Sequence, residues 1–181
     1  MALSPSLQAG SQFGLSKFSH DSRYLFSCCG AVIKVFNTSN GECVHNLQGH
    51  TKQVTGVSLN PSNVLQVISC GTEGLLIYWD YLDGVILKKY DLHLPLFGIL
   101  AINAERKNIL MLAQLSEHKK AFAVMLWKKK KTSDGFDQPK TLIDNCDSDP
   151  NLVSYGCMKE CVAAGLKHKL AIHSMKTGKT K

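Results

Sequence analysis

The chain has almost no arginine. Arg23 and Arg106 are the only two among 21 basic residues, so lysine carries most of the formal net charge of +7. Arginine reads guanine edges and clamps phosphates with two parallel hydrogen bonds, whereas lysine acts as a point charge. The composition therefore argues against sequence-specific base recognition and favours diffuse contact with phosphates or a solubilising role.

Long apolar runs and secretory features are missing as well. No window approaches the roughly 18 apolar residues that a membrane span needs, and the first residues, MALSPSLQAGSQ, contain no basic region before an apolar one. The seven cysteines are odd in number and lack framework spacing, which favours reduced thiols inside a cell. We therefore expect no membrane partner, and we regard the glycosylation sequon at Asn37 as incidental.

Hydropathy alternates with a period of two along most of the chain, and long helical patterns are missing. Turn signals separate four alternating segments that predict one antiparallel sheet, at residues 54–59, 64–69, 75–79 and 85–90. Two further units follow, each with three predicted strands: 96–101, 108–114 and 121–127 in the third unit, and 151–156, 161–166 and 170–175 in the fourth.

The second unit repeats the first. Ile33–Leu47 aligns without a gap onto Leu76–Tyr90 at an offset of 43 residues, which places Phe36 on Trp79. A period of this length, with a Trp-Asp pair closing the third strand, is the signature of a WD repeat.

An upstream segment extends the alignment. Phe18–Cys28 falls on Leu59–Ser69, and the turn that follows is two residues shorter in the first unit. We therefore predict an all-β fold, an incomplete WD-repeat β-propeller with about three and a half to four four-stranded blades of an expected seven. A flexible N-terminus is expected at residues 1–10 and a partial propeller at 11–181, with blades roughly at 11–48, 49–92, 93–142 and 143–181. Such a partial ring is expected either to derive from a longer protein or to need a partner that covers its open faces.

A polar constellation surrounds the Trp-Asp pair of the second unit. In WD-repeat blades, the histidine of a Gly-His pair, a strand hydroxyl, an acid in the next turn and the tryptophan are hydrogen-bonded together. Here these residues are His50, Ser69, Glu73 and Trp79, with glutamate where the pattern prefers aspartate. Each buried polar group left unpaired costs roughly 1–3 kcal/mol, so we predict a structural tetrad. A hydrolase triad is the rejected alternative, because no Gly-x-Ser-x-Gly elbow surrounds Ser69.

Three other patterns have ordinary structural interpretations. Gly178–Thr180 resembles the end of a phosphate-binding loop but lacks the upstream glycine and a following helix. A zinc site would have to use cysteines and histidines with weak spacing: Cys146, Cys157, Cys161, His168 and His173. Cys28, Cys29 and Cys70 are predicted to pack as small hydrophobic residues. We therefore expect no catalytic residue, metal, cofactor or small-molecule substrate.

A run of four lysines follows the third predicted strand of the third unit, formed by Lys128, Lys129, Lys130 and Lys131. A solvated loop is the ordinary interpretation of such a run. Contact with RNA phosphates and use in a nuclear import signal are the alternatives. A phosphate role predicts an affinity that falls steeply with salt.

Several segments are more specific than the generic repeat. They are Phe18–Phe26, Val32–Phe36, Gly41–His45, Leu47–His50, Val54–Pro61 and Trp79–Gly84. Together they resemble the amino-terminal propeller of the WD repeat-containing protein 75 family, most closely over residues 11–90 and more thinly to residue 175.

The resemblance implies a subunit of the small-subunit processome in the nucleus and nucleolus, within its early UTP-A subcomplex. It implies two tandem seven-bladed propellers, assembly on the 5′ external transcribed spacer of pre-rRNA, 18S rRNA maturation and support of RNA polymerase I transcription. The implied partners are other WD-repeat and scaffold proteins of the processome and, within the complex, pre-rRNA. We therefore predict a non-catalytic scaffold. The alternative is a WD-repeat adaptor that recognises a protein, such as a ubiquitylation substrate, in another nuclear or cytosolic complex.

Overall fold

The computed structural model describes residues 16–103, 108–116, 121–128, 130, 136–146, 152–156, 161–166, 169–174 and 177–180. Within these ranges fifteen strands form four antiparallel sheets. The described residues contain no helix long and apolar enough to cross a membrane. The predicted all-β class is confirmed.

Each sheet pairs strands that are consecutive in the chain. The first sheet contains β1 (Ser16–Phe18), β2 (Tyr24–Cys29), β3 (Val32–Asn37) and β4 (Cys43–Gln48). The second contains β5 (Val54–Leu59), β6 (Gln66–Gly71), β7 (Leu75–Asp80) and β8 (Val85–Asp91). The third contains β9 (Leu96–Asn103), β10 (Asn108–Ser116), β11 (Ala121–Trp127) and β12 (Lys140–Cys146), and the fourth contains β13 (Leu152–Gly156), β14 (Cys161–Leu166) and β15 (Lys169–Ser174).

The 43-residue repeat is present in the backbone geometry. The β3–β4 pair and the β7–β8 pair each contain a β-bulge, and the residues that the register skips are Val44 and Leu87. These two residues stand 43 positions apart, and both are exposed, by 39% and 41%. A bulge adds one residue to a strand and redirects its side chain. The third and fourth strands of the two sheets therefore correspond residue by residue.

The upstream part of the repeat is shifted by one residue from the predicted alignment. Ser27 pairs with Lys34 in the first sheet, and Ser69 pairs with Ile77 in the second. Because Lys34 and Ile77 are equivalent in the repeat, Ser27 rather than Cys28 is the counterpart of Ser69. The first unit is two residues shorter than the second over this part of the repeat. This difference is divided between the turn before β2 and the turn after it. The gap-free alignment placed both residues in one turn and was wrong in that detail.

Strand β6 begins at Gln66, two residues later than predicted. The side-chain Oδ1 of Asn63 accepts a hydrogen bond from the Leu65 amide at 3.0 Å, and the Gln66 amide donates to the Asn63 carbonyl at 3.1 Å. Asparagine competes in this way with strand pairing and extends the turn. Val64 is consequently 57% exposed in the turn rather than buried in a strand.

The third sheet has a fourth strand, β12, which the hydropathy pattern did not predict. Val124 of β11 lies opposite Ile143, and both Leu142 and Ile143 are buried. Two adjacent apolar residues break the period-two alternation on which the prediction depended, and the register is irregular here. The expected blade division between residues 142 and 143 falls inside β12.

Apolar layers fill the spaces between successive sheets. Between the first and second sheets the largest buried side chains are Phe26, Ile33, Leu47, Ile77 and Trp79. The next layer includes Ile68, Leu76, Leu96, Ile109 and Met111, and the one after it Leu110, Leu112, Phe122 and Leu126. Burial of this apolar surface stabilises the packing of the sheets by roughly 25 cal/mol per Å².

Hydrogen bonds between sheets supplement the apolar layers. The Val54 amide donates to the Gly30 carbonyl at 2.8 Å and joins the first two sheets. Thr55 Oγ1 donates to the Leu96 carbonyl at 2.7 Å, which joins the second sheet to the third. These bonds satisfy polar groups that the stacking of the sheets would otherwise bury unpaired.

Candidate functional site

Four polar side chains meet on the face of the second sheet that packs against the first. His50 precedes β5, Ser69 lies in β6, Glu73 lies in the turn after β6, and Trp79 lies in β7. Because Ser69 pairs with Ile77, alternation along β7 places Trp79 on the same face as Ser69, two register positions further along. The sheet register thus brings a hydroxyl and an indole N–H together.

A continuous chain of hydrogen bonds joins these four residues. Trp79 Nε1 donates to Ser69 Oγ at 2.8 Å, and Ser69 Oγ lies 2.7 Å from His50 Nε2. His50 Nδ1 contacts Glu73 Oε1. The chain is consistent if the Ser69 hydroxyl donates to Nε2 and Nδ1–H donates to the carboxylate, since each group then has one role. The structure therefore brings together all four residues of the predicted tetrad.

The electrostatic environment favours a neutral imidazole at His50. Burial lowers the pKa of His50 because the charged form loses its hydration. The hydrogen bond and the negative charge of Glu73 oppose that shift, and the positive charge of Lys89 adds to it. The net direction is downward, so His50 serves as a hydrogen-bond relay between a hydroxyl and a carboxylate rather than as one half of an ion pair.

The glutamate at position 73 fits the site incompletely. Its Oε1 contacts His50, but its Oε2 is buried and has no hydrogen-bond partner. A Cβ built on Gly71 would overlap Glu73 Oε2, so Gly71 leaves room for the Glu73 carboxylate in this position. A buried, unpaired oxygen of this kind costs roughly 1–3 kcal/mol.

Sequence reasoning missed the packing role of two glycines. A Cβ on Gly49 would stand 2.9 Å from the Trp79 ring and 2.8 Å from Ile86. Gly71 makes the corresponding room for Glu73. Gly49 was visible only as half of a Gly-His pair. Its proximity to a tryptophan 30 positions away depends on the path of the chain between sheets, which the local pattern does not contain.

The geometry of the site fits a role in stabilising the fold better than a role in catalysis. Ser69 has 0% exposure and His50 7%, so the hydroxyl faces protein rather than solvent. Its oxygen already contacts both the indole N–H and the imidazole. A nucleophile needs access to a substrate, and this arrangement provides none.

The predicted cysteine packing is correct for Cys70 and wrong for Cys29. Cys70 is completely buried, and burial raises the pKa of its thiol to about 12. Burial likewise raises the pKa of the half-buried Cys28 to about 12. Cys29, by contrast, is exposed at the end of β2. The pattern could not separate two adjacent cysteines, although alternation along a strand places their side chains on opposite faces.

The C-terminal Gly-Lys-Thr segment pairs with β15. Thr180 forms a β-bridge with His173, and its Oγ1 lies 2.8 Å from His173 Nδ1. Gly178 has a φ of 68°, which fits a tight turn. Of the possible zinc ligands, Cys157 and His168 lie outside the described residues. Among the residues that the structure describes, no group of three or more histidine, cysteine or acidic side chains could hold a metal ion.

Comparisons with known proteins identify the family. A sequence model of the first β-propeller of WD repeat-containing protein 75 matches residues 17–181. The chain belongs to the WD repeat-containing protein 75 family.

Relatives of this family and a solved structure support the assignment. WD repeat-containing protein 75 of Mus musculus is 33% identical over 172 residues, covering 93% of this chain and 20% of its own. The Danio rerio protein is 30% identical over 167 residues (90% and 20%), and the Xenopus laevis protein 49% over 75 residues (41% and 9%). The β-propeller domain of Cps50 (Swd1) from Myceliophteria thermophila superimposes with a TM-score of 0.67 at 19% identity, over 96% of this chain and 55% of its own.

These matches confirm the predicted family and a partial WD-repeat β-propeller as the fold. The chain spans about 20% of the length of the first curated relatives that it matches. A WD-repeat propeller of this family is a scaffold-type fold. The low identity of the Cps50 domain makes it evidence of fold alone.

The lysine run of this WD repeat-containing protein 75 homologue is described only in part. Lys128 and Lys130 are exposed, whereas Lys129 and Lys131 lie outside the described residues. The Lys128 carbonyl accepts a hydrogen bond from the Asp137 amide at 2.9 Å, which anchors the backbone just after β11. Two exposed ammonium groups at this point fit a solvated loop and a phosphate contact equally well.

Proposed function

We propose that this chain is part of a non-catalytic scaffold subunit in ribosome biogenesis. It would act in small-subunit processome assembly on pre-rRNA, in 18S rRNA maturation and in support of RNA polymerase I transcription. The observation that carries this proposal is the match of residues 17–181 to the first propeller of WD repeat-containing protein 75. The processome role is what the family resemblance implies.

The buried tetrad is one reason why the proposed function is non-catalytic. The side chains of the second sheet that most resemble a catalytic set form hydrogen bonds with one another. These are His50, Ser69 and Glu73. A scaffold needs rigid blades and free surface loops, and a buried polar network serves that rigidity. We accordingly propose no cofactor, metal or small-molecule substrate.

The proposed partners are other WD-repeat and scaffold proteins of the processome, with pre-rRNA contacted at its 5′ external transcribed spacer. The proposed location is the nucleus and nucleolus. The net charge of +7 supports a polyanionic neighbour, and its lysine bias supports contact with phosphates rather than base reading. The exposed Lys128 and Lys130 are the candidate contact or nuclear import patch, together with Lys129 and Lys131.

The test is recovery of crosslinked RNA on the tagged, longest natural protein that contains this chain. Enrichment of the 5′ external transcribed spacer together with nucleolar WD-repeat proteins is the expected result. Enrichment of a cytosolic or nuclear protein complex without pre-rRNA would instead favour the adaptor alternative.

A matched variant separates the lysine run from the rest of the scaffold. Changing the four lysines at 128–131 to glutamine should reduce recovery of the spacer RNA and flatten its dependence on salt, because fewer counterions are released on binding. Changing Lys17, Lys34, Lys52 and Lys89 to glutamine removes the same charge elsewhere and is the control. An unchanged salt slope in the 128–131 variant would remove the lysine run from the proposal.

A further inference from the structure

Two turns of the second sheet expose apolar side chains at one end of the blade. Val64 and Leu65 precede β6, and Leu82 and Val85 border the β7–β8 turn, with exposures between 40% and 57%. Antiparallel pairing places the turns after the first and third strands at the same end of a sheet. These four residues form the turn patch. Single exposed apolar side chains are ordinary, whereas a group of them marks an interaction surface.

Hydrogen bonds of Tyr81 hold the two turns together. Its amide donates to the Leu65 carbonyl at 3.3 Å, and its hydroxyl donates to the Val64 carbonyl at 3.2 Å. The Tyr81 ring is buried and packs edge to face against Phe26 of the first sheet, with ring centroids 4.9 Å apart. The backbone that carries the turn patch is therefore fixed before a partner arrives, which reduces the entropy lost on binding.

The turns at this end of the first two sheets are acidic, although the chain as a whole is basic. The Tyr24 and Tyr81 rings, with centroids 5.5 Å apart, join the two sheets here. The turns comprise residues 19–23, 37–42, 60–65 and 80–84, and they contain four carboxylates, one guanidinium group and no lysine. With histidine neutral, their net charge is −3, against +7 for the whole chain. The turn patch thus lies in surroundings of the opposite charge to the rest of the protein.

Two carboxylates beside the turn patch can accept further contacts. Asp80 Oδ1 accepts hydrogen bonds from the amides of Leu82 and Asp83 at 3.1 and 3.3 Å, and Asp80 Oδ2 has no partner among the described residues. Glu73 Oε2 is the only buried side-chain nitrogen or oxygen of the described residues that lacks a partner, so Asp80 Oδ2 reaches solvent. Asp83 is exposed, and its carboxylate forms no hydrogen bond or ion pair with a described residue.

The negative charge acts at the centre of the two turns. Burial raises the pKa of the Tyr81 hydroxyl, and the charges of Asp21 and Asp80 raise it further. This hydroxyl is the group that binds the Val64 carbonyl. Asp21 is already engaged by Arg23, with 3.6 Å between Oδ2 and Nε, so Asp80 and Asp83 are the acids that a partner can reach.

An exposed apolar group bordered by carboxylates selects its partner by charge. The phosphates of RNA and the side chains of an acidic peptide would be repelled, whereas lysine or arginine next to an apolar side chain would be attracted. A second copy of the chain would present the same acidic turns, and association of two such ends would bring like charges together. The charge therefore favours a basic and apolar segment of another protein.

We propose that the turn patch binds a segment of a partner protein in which one or two bulky apolar side chains are flanked by lysines or arginines. The apolar side chains pack on Leu65 and Leu82, and the flanking cations pair with Asp80 and Asp83. This inference deepens the proposed scaffold function and rests on it, because it assigns a protein-binding surface separate from the lysine run.

Fluorescence anisotropy on the purified chain tests the proposal. The probe is a labelled peptide with a central leucine-phenylalanine pair flanked on each side by lysines. One comparison peptide has glutamates in place of the lysines, and the other has serines in place of the apolar pair. The probe should bind saturably and at least about tenfold more tightly than either comparison peptide. No saturable binding of the probe, or equal binding of the serine peptide, would overturn the proposal.

Apolar positions of matched exposure provide the first control. Leu65→Ser together with Leu82→Ser should weaken binding of the probe by about tenfold or more, because its apolar pair loses both contacts. Leu115 and Ile172, in the third and fourth sheets, are 44% and 42% exposed, close to the 41% and 40% of Leu65 and Leu82. Leu115→Ser together with Ile172→Ser should alter binding by less than about threefold. Equal losses in the two double variants would contradict a site at the turn patch.

Neutralised carboxylates provide the second control, which also tests the proposal if the serine variants prove unstable. Asp80→Asn together with Asp83→Asn keeps an oxygen acceptor for the two amides of the turn and removes both charges. Affinity for the probe should fall by about fivefold or more and depend less on salt. Asp91→Asn together with Asp137→Asn removes the same charge at exposed positions elsewhere, and should change affinity by less than about twofold. An equal fall in both variants would indicate a general charge effect and overturn the proposal.

Two further measurements separate the proposal from its alternatives. If a labelled single-stranded RNA displaced the probe and was itself weakened by Leu65→Ser with Leu82→Ser, the turn patch would be an RNA contact and the proposal would fail. It would also fail if the chain sedimented as a dimer that these substitutions dissociated, because the occupant would then be a second copy. Loss of the peptide site with pre-rRNA recovery intact would overturn only this surface, whereas peptide binding without pre-rRNA recovery would overturn only the processome role.

Discussion

The first and second sheets share a backbone plan but not a polar interior. Their third and fourth strands correspond at an offset of 43 residues, with the bulge at the same position in each. Phe36 stands where the second sheet has Trp79, and Ser27 stands where it has Ser69. The side chain of phenylalanine has no N–H to donate, and the shorter turn after β2 contains no acidic residue.

This difference distinguishes the features that form the strands of a blade from the tetrad, which ties its connecting segments together. Alternating apolar residues, tight turns and a bulge suffice for four paired strands, because the first sheet has them and lacks the tetrad. The tetrad instead ties the segment before β5 to the turn after β6, through His50 and Glu73. Trp79 is fully buried, whereas Phe36 is half-buried on the face turned away from the second sheet. The tetrad therefore stands at the fully buried aromatic residue, and the equivalent half-buried position lacks it.

Truncation of the two equivalent aromatic residues should produce the largest difference in stability between the two sheets. Trp79→Ala removes a fully buried ring and leaves Ser69 with one partner fewer, so we expect a loss of about 3–5 kcal/mol in the free energy of unfolding. Phe36→Ala removes a half-buried ring and should cost clearly less. Urea denaturation of both variants measures the difference, and equal losses would mean that the two sites are energetically alike.

Removal of the histidine should have the next largest effect. His50→Ala leaves Glu73 buried without its hydrogen-bond donor and Ser69 without its acceptor, so we expect a loss of about 2–3 kcal/mol. His20→Ala, at an exposed position of the first sheet, is the control and should be nearly neutral. A thermal midpoint for His50→Ala no lower than that of the control would remove the tetrad as a stabilising unit.

Acidification should destabilise the protein through the same residue. The pKa of His50 is lowered by burial, so between that value and about 6.5, the usual pKa of histidine, the unfolded chain binds more protons than the native one. Stability is therefore greatest above about pH 6.5 and falls as the pH drops through this range. Burial also lowers the pKa of His173, which adds a slope of the same sign.

His50→Gln isolates the contribution of His50 to this pH dependence. The variant retains a polar side chain and should show a smaller loss of stability on acidification than the parent chain, with the contribution of His173 unchanged. Denaturant titrations at about pH 7.5 and 5.5, on either side of the histidine pKa, make the comparison. An identical loss of stability on acidification in the variant and the parent chain would show that His50 does not titrate on unfolding.

The second sheet was the most predictable part of the fold. Its strands follow from alternation and turn signals, its blade type follows from the 43-residue period and the Trp-Asp pair, and its four polar residues follow from the polar pattern of WD-repeat blades. The start of β6 was misplaced because the side-chain hydrogen bond of Asn63 extends a turn into residues that look like a strand. The strand β12 was missed because Leu142 and Ile143 are adjacent and break the alternation.

The remaining features of the site depend on contacts between distant segments. The partnerless Oε2 of Glu73 and the room made by Gly71 depend on side-chain reach in three dimensions. A cavity of about 350 Å³ between the second and third sheets exists only because these sheets pack against each other. A single sequence shows residue types and spacings but no distances between sheets, so neither feature could be predicted from it.

The smallest expected effect comes from giving the first sheet the aromatic residue of the second. Phe36→Trp supplies an indole N–H near Ser27, but no histidine or acid of the described residues stands there to complete a tetrad. The substitution is half-exposed and should change the free energy of unfolding by less than about 0.5 kcal/mol. Ser27→Ala in the Phe36→Trp background is the control, and it should have no further effect. A gain above about 1 kcal/mol, abolished by Ser27→Ala, would show that an indole-hydroxyl pair stabilises a blade without the histidine and the acid.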